Sequence, residues 1–201
     1  MKTSRKMSTE TLTFGAILTA MVVILQFLAL GVKAVFPLLP FTVSLVLIPI
    51  VIGAAKGGPW MGAWLGLVFG IVVLLSGDAA SFMVINPFGT VLTVLVKGSL
   101  CGFLSGLTYW AIAEKAGMRI LGTYMAAIVC PIVNTGVFFL GCLAFFMDTV
   151  AEWAAAFGFE SVTLYMFLGL AGVNFLVEFG INLVLSPVII QVLKLKKDKR
   201  A

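Results

Sequence analysis

The stretch "GVNFLVEFGINLVLSP", residues 172–187, is a nearly continuous apolar run with a single carboxylate, Glu178, at its centre. Asn174 and Asn182 lie four residues to either side of this acid. Positions i, i+4 and i+8 share one face of an α-helix. The run is therefore predicted to form an apolar helix with one polar face, and the purpose of that face depends on its surroundings.

The composition of the whole chain identifies those surroundings. The 201 residues are 62% hydrophobic and only 10% charged, and the mean hydropathy is +1.19. Soluble domains carry about 25% charged residues, so this composition is typical of a polytopic membrane protein. We expect an all-α fold that forms one membrane domain over residues 1–201.

Hydropathy and length divide the chain into apolar segments. A membrane-spanning helix needs about 20 apolar residues, and six spans in a compact bundle are predicted on this basis, at about 12–32, 41–55, 60–77, 88–113, 119–147 and 164–193. The first span follows basic residues, as the apolar segment of a signal peptide does. Its length and the lack of a cleavage site indicate a retained helix. The second is short and contains Pro49, so we expect it to be tilted, broken or shielded by its neighbours.

The basic residues predict the orientation of the bundle. With six spans, every Lys and Arg except Lys33 and Lys97 falls at the termini or in loops on one side, whereas most acidic loop residues fall on the other side. The positive-inside rule then places both termini in the cytoplasm. The basic tail is explained by orientation and by anionic lipid headgroups, so no nucleic-acid partner is required.

Several polar side chains are predicted to lie inside the membrane. Lys97 is nine residues from Phe88 at the outer end of span four, about 13 Å by helical rise. Asn134 lies near the middle of span five, and Glu178 lies within span six. A charged residue at the centre of a membrane helix costs about 2.5–3.5 kcal/mol and nearly always faces the bundle interior. Lys97 and Glu178 are therefore predicted to face protein rather than lipid.

The polar residues of span four also share one face. Asn86, Thr90, Thr93 and Lys97 follow the i, i+4, i+7, i+11 pattern of a helix. One interpretation is a buried Lys97–Glu178 ion pair, which contributes little stability because desolvation offsets the attraction. The other, which we favour, is a polar pocket that a small ligand enters from outside. The candidate substrate-binding residues are Asn86, Thr93, Lys97, Asn134, Asn174 and Glu178.

Three motifs carry a resemblance to a known family. They are "AILTA" from Ala16 to Ala20, "IPIVIGAAKGGPWMGAWLG" at the junction of spans two and three, and "VNFLVEFGINLVLSPVIIQVLK" in the last span. In this order, and within six short-looped spans, they resemble the substrate-specific (S) components of energy-coupling factor (ECF) transporters. These are the vitamin-capturing subunits of an ATP-driven uptake system, and the resemblance covers most of the chain.

The resemblance implies a role for several residues. Ala16 and Ala20 would form the flat patch that packs against the membrane coupling subunit. Asn174 and Glu178 would line the substrate cavity, with Lys97 and Asn134 contributed by neighbouring helices. The segment "GVKAVFPLLPF" after span one would form a lid. The resemblance further implies a bacterial plasma membrane location, toppling of the subunit within the membrane, and two partner ATPases that use ATP, with no cofactor bound by this chain.

The missing motifs narrow the function. The chain has no GxxxxGK[ST] phosphate loop, no histidine and no HExxH motif, so its own ATP hydrolysis and membrane-embedded hydrolase activity are disfavoured and we expect no enzyme. Cys101, Cys130 and Cys142 lie in apolar stretches without CxxC spacing, so no metal site is predicted. The metal-specific members of the family use histidines near the amino terminus, so an organic solute is favoured.

The polar residues suggest a ligand without identifying it. A lysine opposite a glutamate, with several amides, suits a small molecule that bears a carboxylate plus hydroxyl or amide groups. Pantothenate fits this description, and the chain also resembles the pantothenate-specific members of the family. A zwitterion or an uncharged flavin-like ring stays open. Two other functions also stay open. A proton-coupled secondary transporter would use Glu178 as proton carrier, although the internal repeat usual in such folds is not evident. A scaffold protein would keep the charges as an internal pair.

Overall fold

The structure is a computed structural model that describes residues 9–35 and 45–194, and these ranges contain helices and no strand. The basic terminal residues and part of the predicted lid lie outside the described residues. The helices are α1 (Thr9–Val35), α2 (Leu47–Gly57), α3 (Pro59–Leu75), α4 (Ala80–Ile85), α5 (Pro87–Tyr109), α6 (Arg119–Phe145), α7 (Met147–Ala156), α8 (Val162–Tyr165) and α9 (Gly172–Lys194). Two π-helical segments, Trp110–Lys115 and Met166–Leu170, extend α5 and α8.

Four segments within the described ranges are long and apolar enough to cross a membrane. They are Thr9–Gly31, Pro87–Lys115, Arg119–Phe145 and Asn174–Leu193, and they fall on the predicted first, fourth, fifth and sixth spans. Helices α2 and α3 are shorter apolar helices on the predicted second and third spans. The all-helical membrane fold is thus confirmed, whereas the count of six spans and the side on which the termini lie stay predictions.

Helix α2 is short and lies inside the bundle. It contacts α1, α3, α5, α6 and α9, and its residues from Leu47 to Ala54, apart from Ile48, are buried. A helix that is apolar all round is stable when protein surrounds it on every side. The neighbours of α2 therefore shield it, which is one of the three arrangements expected from its length and from Pro49.

The closest helix contact joins α3 to α5 through glycines. A Cβ atom on Gly66 would overlap the carbonyl oxygen of Gly98, and a Cβ on Gly98 would overlap that of Gly66. Gly62 and Gly102 have the same reciprocal relation one turn away. Small residues repeated every four positions let two helix backbones touch in this way. This contact fixes α5, and with it Lys97, relative to α3.

The predicted sixth span is not one continuous helix. The N–H of Ala171 donates to the carbonyl of Met166, five residues earlier, at 3.2 Å, and the regular helix restarts with Phe175 N–H donating to the Ala171 carbonyl at 2.8 Å. A Cβ on Gly172 would overlap the Phe167 carbonyl, so glycine permits this break. The continuous run of apolar letters conceals the break, which brings Leu170 and Ala171 to the cavity described next.

Candidate functional site

A cavity of about 210 Å³ lies at one end of the bundle, between the α3–α4 turn, α4, α5, α6 and the break before α9. It is smaller than the 300–1,000 Å³ usual for the pockets of drug-sized ligands. Its lining residues are Val73, Asp78, Ala79, Phe82, Thr90, Thr93, Val94, Lys97, Asn134, Thr135, Phe138, Phe146, Leu170, Ala171 and Asn174.

One part of the cavity wall is aromatic. Phe82 contacts Phe138 and Phe146 edge to face, with ring centroids 5.6 and 5.0 Å apart, and it contacts Trp153 at 5.3 Å. Such edge-to-face contacts each add about 0.5–1.5 kcal/mol beyond simple burial. Helices α4, α6 and α7 are held together by these rings, and the cavity gains an apolar surface suited to the hydrocarbon part of a ligand.

The Lys97 ammonium group faces ring surfaces rather than a hydrogen-bond acceptor. Its Nζ atom lies 5.3 Å from the ring centre of Phe138 and 5.9 Å from that of Phe69. Within the described residues it forms no hydrogen bond or ion pair. Cation–π contacts contribute about 0.5–2 kcal/mol and leave all three ammonium protons able to donate. Lys97 is therefore held at the cavity wall with its donors still available.

Glu178 lies directly behind the cavity wall. It is 2% exposed, and its Oε1 accepts a hydrogen bond from Asn174 Nδ2 at 3.1 Å. Asn182 donates to the Glu178 backbone carbonyl at 2.9 Å, which continues the polar face of α9. Lys97 is close enough to act electrostatically on the Glu178 carboxylate, yet the two form no direct ion pair among the described residues.

Several buried oxygen atoms around the cavity have no hydrogen-bond partner among the described residues. They are Thr93 Oγ1, Asn134 Oδ1, Asn174 Oδ1, Glu178 Oε2 and, further along α9, Asn182 Oδ1. An unpartnered buried polar group costs about 1–3 kcal/mol, so native proteins rarely leave several together. The amide and carboxylate oxygens among these atoms are acceptors and the Thr93 hydroxyl can accept or donate, whereas the Lys97 ammonium only donates. The site is thus complementary to a molecule with both kinds of group.

The structure brings most of the predicted site residues together. Thr93, Lys97, Asn134 and Asn174 line the cavity, and Glu178 is one hydrogen bond behind it. Asn86 does not line the cavity, because its Oδ1 accepts the N–H of Gly89 at 2.9 Å and so caps the start of α5.

The predicted docking residues lie on α1, and two features of the cavity were not predicted. Ala16 and Ala20 lie on the exposed face of α1. Asp78 and the aromatic wall are cavity residues that were not predicted from the sequence. Asp78 carried a signal as an acid beside the predicted outer end of span three, but phenylalanine is too common in this chain to stand out.

Gln26 was also missed. This α1 residue is 2% exposed, and its Nε2 donates to Asp78 Oδ2 at 3.4 Å. A lone amide inside an apolar helix was the available signal, since such a group needs a partner within the bundle.

A cavity of mixed polar and aromatic lining inside a helical membrane protein is the feature expected of a solute-binding membrane protein. The chain belongs to the family described as "ECF transporter, substrate-specific component", whose model matches residues 10–190. Comparisons with curated proteins and with solved structures gave no significant match. Members of this family are transporter subunits rather than enzymes, bind a small substrate, and pair with a membrane coupling subunit and ATPases. The family assignment predicted from the sequence is confirmed.

Proposed function

We propose that this chain captures a small, pantothenate-like organic solute from outside a bacterial cell, one with a single carboxylate, an apolar middle and hydroxyl or amide donors. The observation that carries the proposal is the complementary set of unsatisfied groups at one cavity. The Lys97 ammonium has donors without an acceptor partner, whereas Thr93 Oγ1, Asn134 Oδ1 and Asn174 Oδ1 are buried without a donor partner among the described residues.

The ligand carboxylate is proposed to bind at Lys97. A charge-assisted hydrogen bond to an ammonium is about twice as strong as a neutral one, and the Phe138 and Phe69 rings hold Lys97 without competing for its protons. Hydroxyl or amide N–H groups of the ligand then donate to Thr93, Asn134 and Asn174. Glu178 acts through Asn174, whose amide it orients by accepting the 3.1 Å hydrogen bond.

The apolar middle of the ligand is proposed to pack against Phe82, Phe138 and Phe146. The cavity volume of about 210 Å³ favours a small metabolite over a large fused-ring vitamin. Binding at this wall removes apolar surface from water at about 25 cal/mol per Å². The cavity thus divides the ligand into a charged end, a hydrocarbon middle and a donor-bearing remainder.

The orientation and partners complete the proposal. With both termini in the cytoplasm and six spans, the cavity opens to the outside of the bacterial plasma membrane. Ala16 and Ala20, exposed on α1, would pack against the coupling subunit. Two ATPase subunits would supply ATP hydrolysis, and the chain itself would bind no cofactor.

Native mass spectrometry of the purified chain tests the proposed function. We expect one small molecule to co-purify with the wild type and to be lost in Lys97→Ala. Lys115→Ala is the matched control, because Lys115 also lies over a ring, that of Trp110 at 4.3 Å, but outside the cavity. A chain that carries no small molecule and shows no saturable binding of pantothenate would refute the proposal.

A further inference from the structure

Gln26 occupies a costly position for an amide. It belongs to the buried stripe of α1, whose other members, Leu18, Val22 and Ala29, are apolar. A primary amide inside a membrane bundle is stable only when it is hydrogen-bonded within the protein. Gln26 donates to Asp78 Oδ2 at 3.4 Å, so the amide holds one oxygen of a carboxylate that lines the cavity.

The cavity therefore has charges of opposite sign on different elements. Asp78 lies on the turn between α3 and α4, whereas Lys97 lies on α5. Both line the same small cavity, and both act electrostatically on the Glu178 carboxylate behind it. A ligand that places its anionic group at Lys97 shares this cavity with the Asp78 carboxylate.

We propose that Gln26 holds Asp78 as a selectivity residue, so that the cavity accepts a monoanion whose far end donates hydrogen bonds and rejects a ligand with a second anionic end. This inference rests on the proposed function and names its substrate class more narrowly. A hydroxyl or an ammonium group can donate to a carboxylate, whereas a second carboxylate is repelled by it. Discrimination of this kind comes from a repulsive element built against the wrong ligand.

Three probes of the same carbon number separate these cases: 5-hydroxypentanoate, 5-aminopentanoate and glutarate. Binding of each is measured by calorimetry to the purified full chain in lipid nanodiscs. For the wild type we expect glutarate to bind at least about tenfold more weakly than the other two probes, since like charges brought together in an interface are strongly unfavourable.

Variants assign the discrimination to the two residues. In Asp78→Asn the ratio of 5-hydroxypentanoate affinity to glutarate affinity should fall to about threefold or less. Gln26→Met, which keeps the side-chain length and removes the amide, should reduce the ratio of 5-hydroxypentanoate affinity to glutarate affinity. It also provides an independent variant if Asp78→Asn does not fold. Glu160→Gln removes an exposed acid that does not line the cavity and should change nothing.

The outcomes separate this inference from the proposed function. Equal binding of glutarate and 5-hydroxypentanoate to the wild type, or an unchanged ratio in Asp78→Asn, would overturn the selectivity role. If Lys97→Ala abolished binding of all probes in that case, the proposed function would stand. If the wild type bound no probe and no co-purifying solute, both proposals would fail.

Discussion

Replacing Gly66 by alanine should lower the free energy of unfolding because of a single backbone contact. The added Cβ would overlap the carbonyl oxygen of Gly98, and that atom is backbone, so it cannot move without shifting α5. Overpacking of this kind costs about 1–3 kcal/mol, whereas the gain in helix propensity returns up to about 1 kcal/mol. We expect a net loss of about 1–2 kcal/mol, and a fall in Tm of about 2–4 °C per kcal/mol for a chain of this length.

The chain provides matched controls for this measurement. Gly136 in α6 and Gly180 in α9 have nothing within 4 Å of an added Cβ. Alanine at either site should leave the free energy of unfolding unchanged or raise it by up to about 1 kcal/mol through helix propensity, so Tm should not fall. The assay is thermal unfolding of purified protein in nanodiscs, followed by intrinsic fluorescence. Equal or higher Tm in Gly66→Ala than in Gly136→Ala would refute the direct backbone contact between α3 and α5.

Three further predictions concern ligand binding, docking of the coupling subunit and a helix cap. Lys97→Ala should lower the affinity for pantothenate about 30-fold or more, because losing one partner of a buried charge pair costs about 2–5 kcal/mol. Glu178→Ala should lower the affinity less. Equal small losses of affinity in calorimetry would argue against an anionic ligand. Ala16→Leu and Ala20→Leu should each prevent co-purification with the coupling subunit while ligand affinity stays unchanged; normal co-purification would show that this face does not dock. Asn86→Ala should lower the free energy of unfolding by about 1 kcal/mol through loss of a helix cap, and a large loss of ligand affinity would instead return Asn86 to the site.

The sequence was sufficient to predict the polar wall of the site. A charge inside a membrane must face the bundle interior, so Lys97 and Glu178 could be oriented without coordinates. The regular spacing of Asn174 and Glu178 put them on one face, and the structure has them hydrogen-bonded. Asn86 was placed in the same stripe because spacing alone cannot distinguish a polar residue inside a helix from one that caps its first turn.

The rest of the site depends on long-range packing that local patterns do not encode. Asp78 lies in a turn, and only the folding of α1 against that turn brings Gln26, 52 positions earlier in the chain, within hydrogen-bond distance. The aromatic wall joins Phe82 to residues of α6 and α7. The break at Ala171 is likewise concealed in an apolar run, since a π-helical turn needs no polar residue or proline to signal it.

Helix α1 carries both the exposed alanines proposed to dock the coupling subunit and the buried amide that reaches the cavity. Its outward side carries Ala16 and Ala20, and its inward side carries Gln26, about 15 Å from Ala16 and about 9 Å from Ala20 along the axis. If the outward side docks on the coupling subunit, a solute that displaces Asp78 also acts on the docking helix through the Gln26–Asp78 hydrogen bond. Linkage makes this influence reciprocal: a partner that prefers one position of α1 must alter solute retention by the same factor. Release of cargo could then be set by attachment itself, without any separate gate.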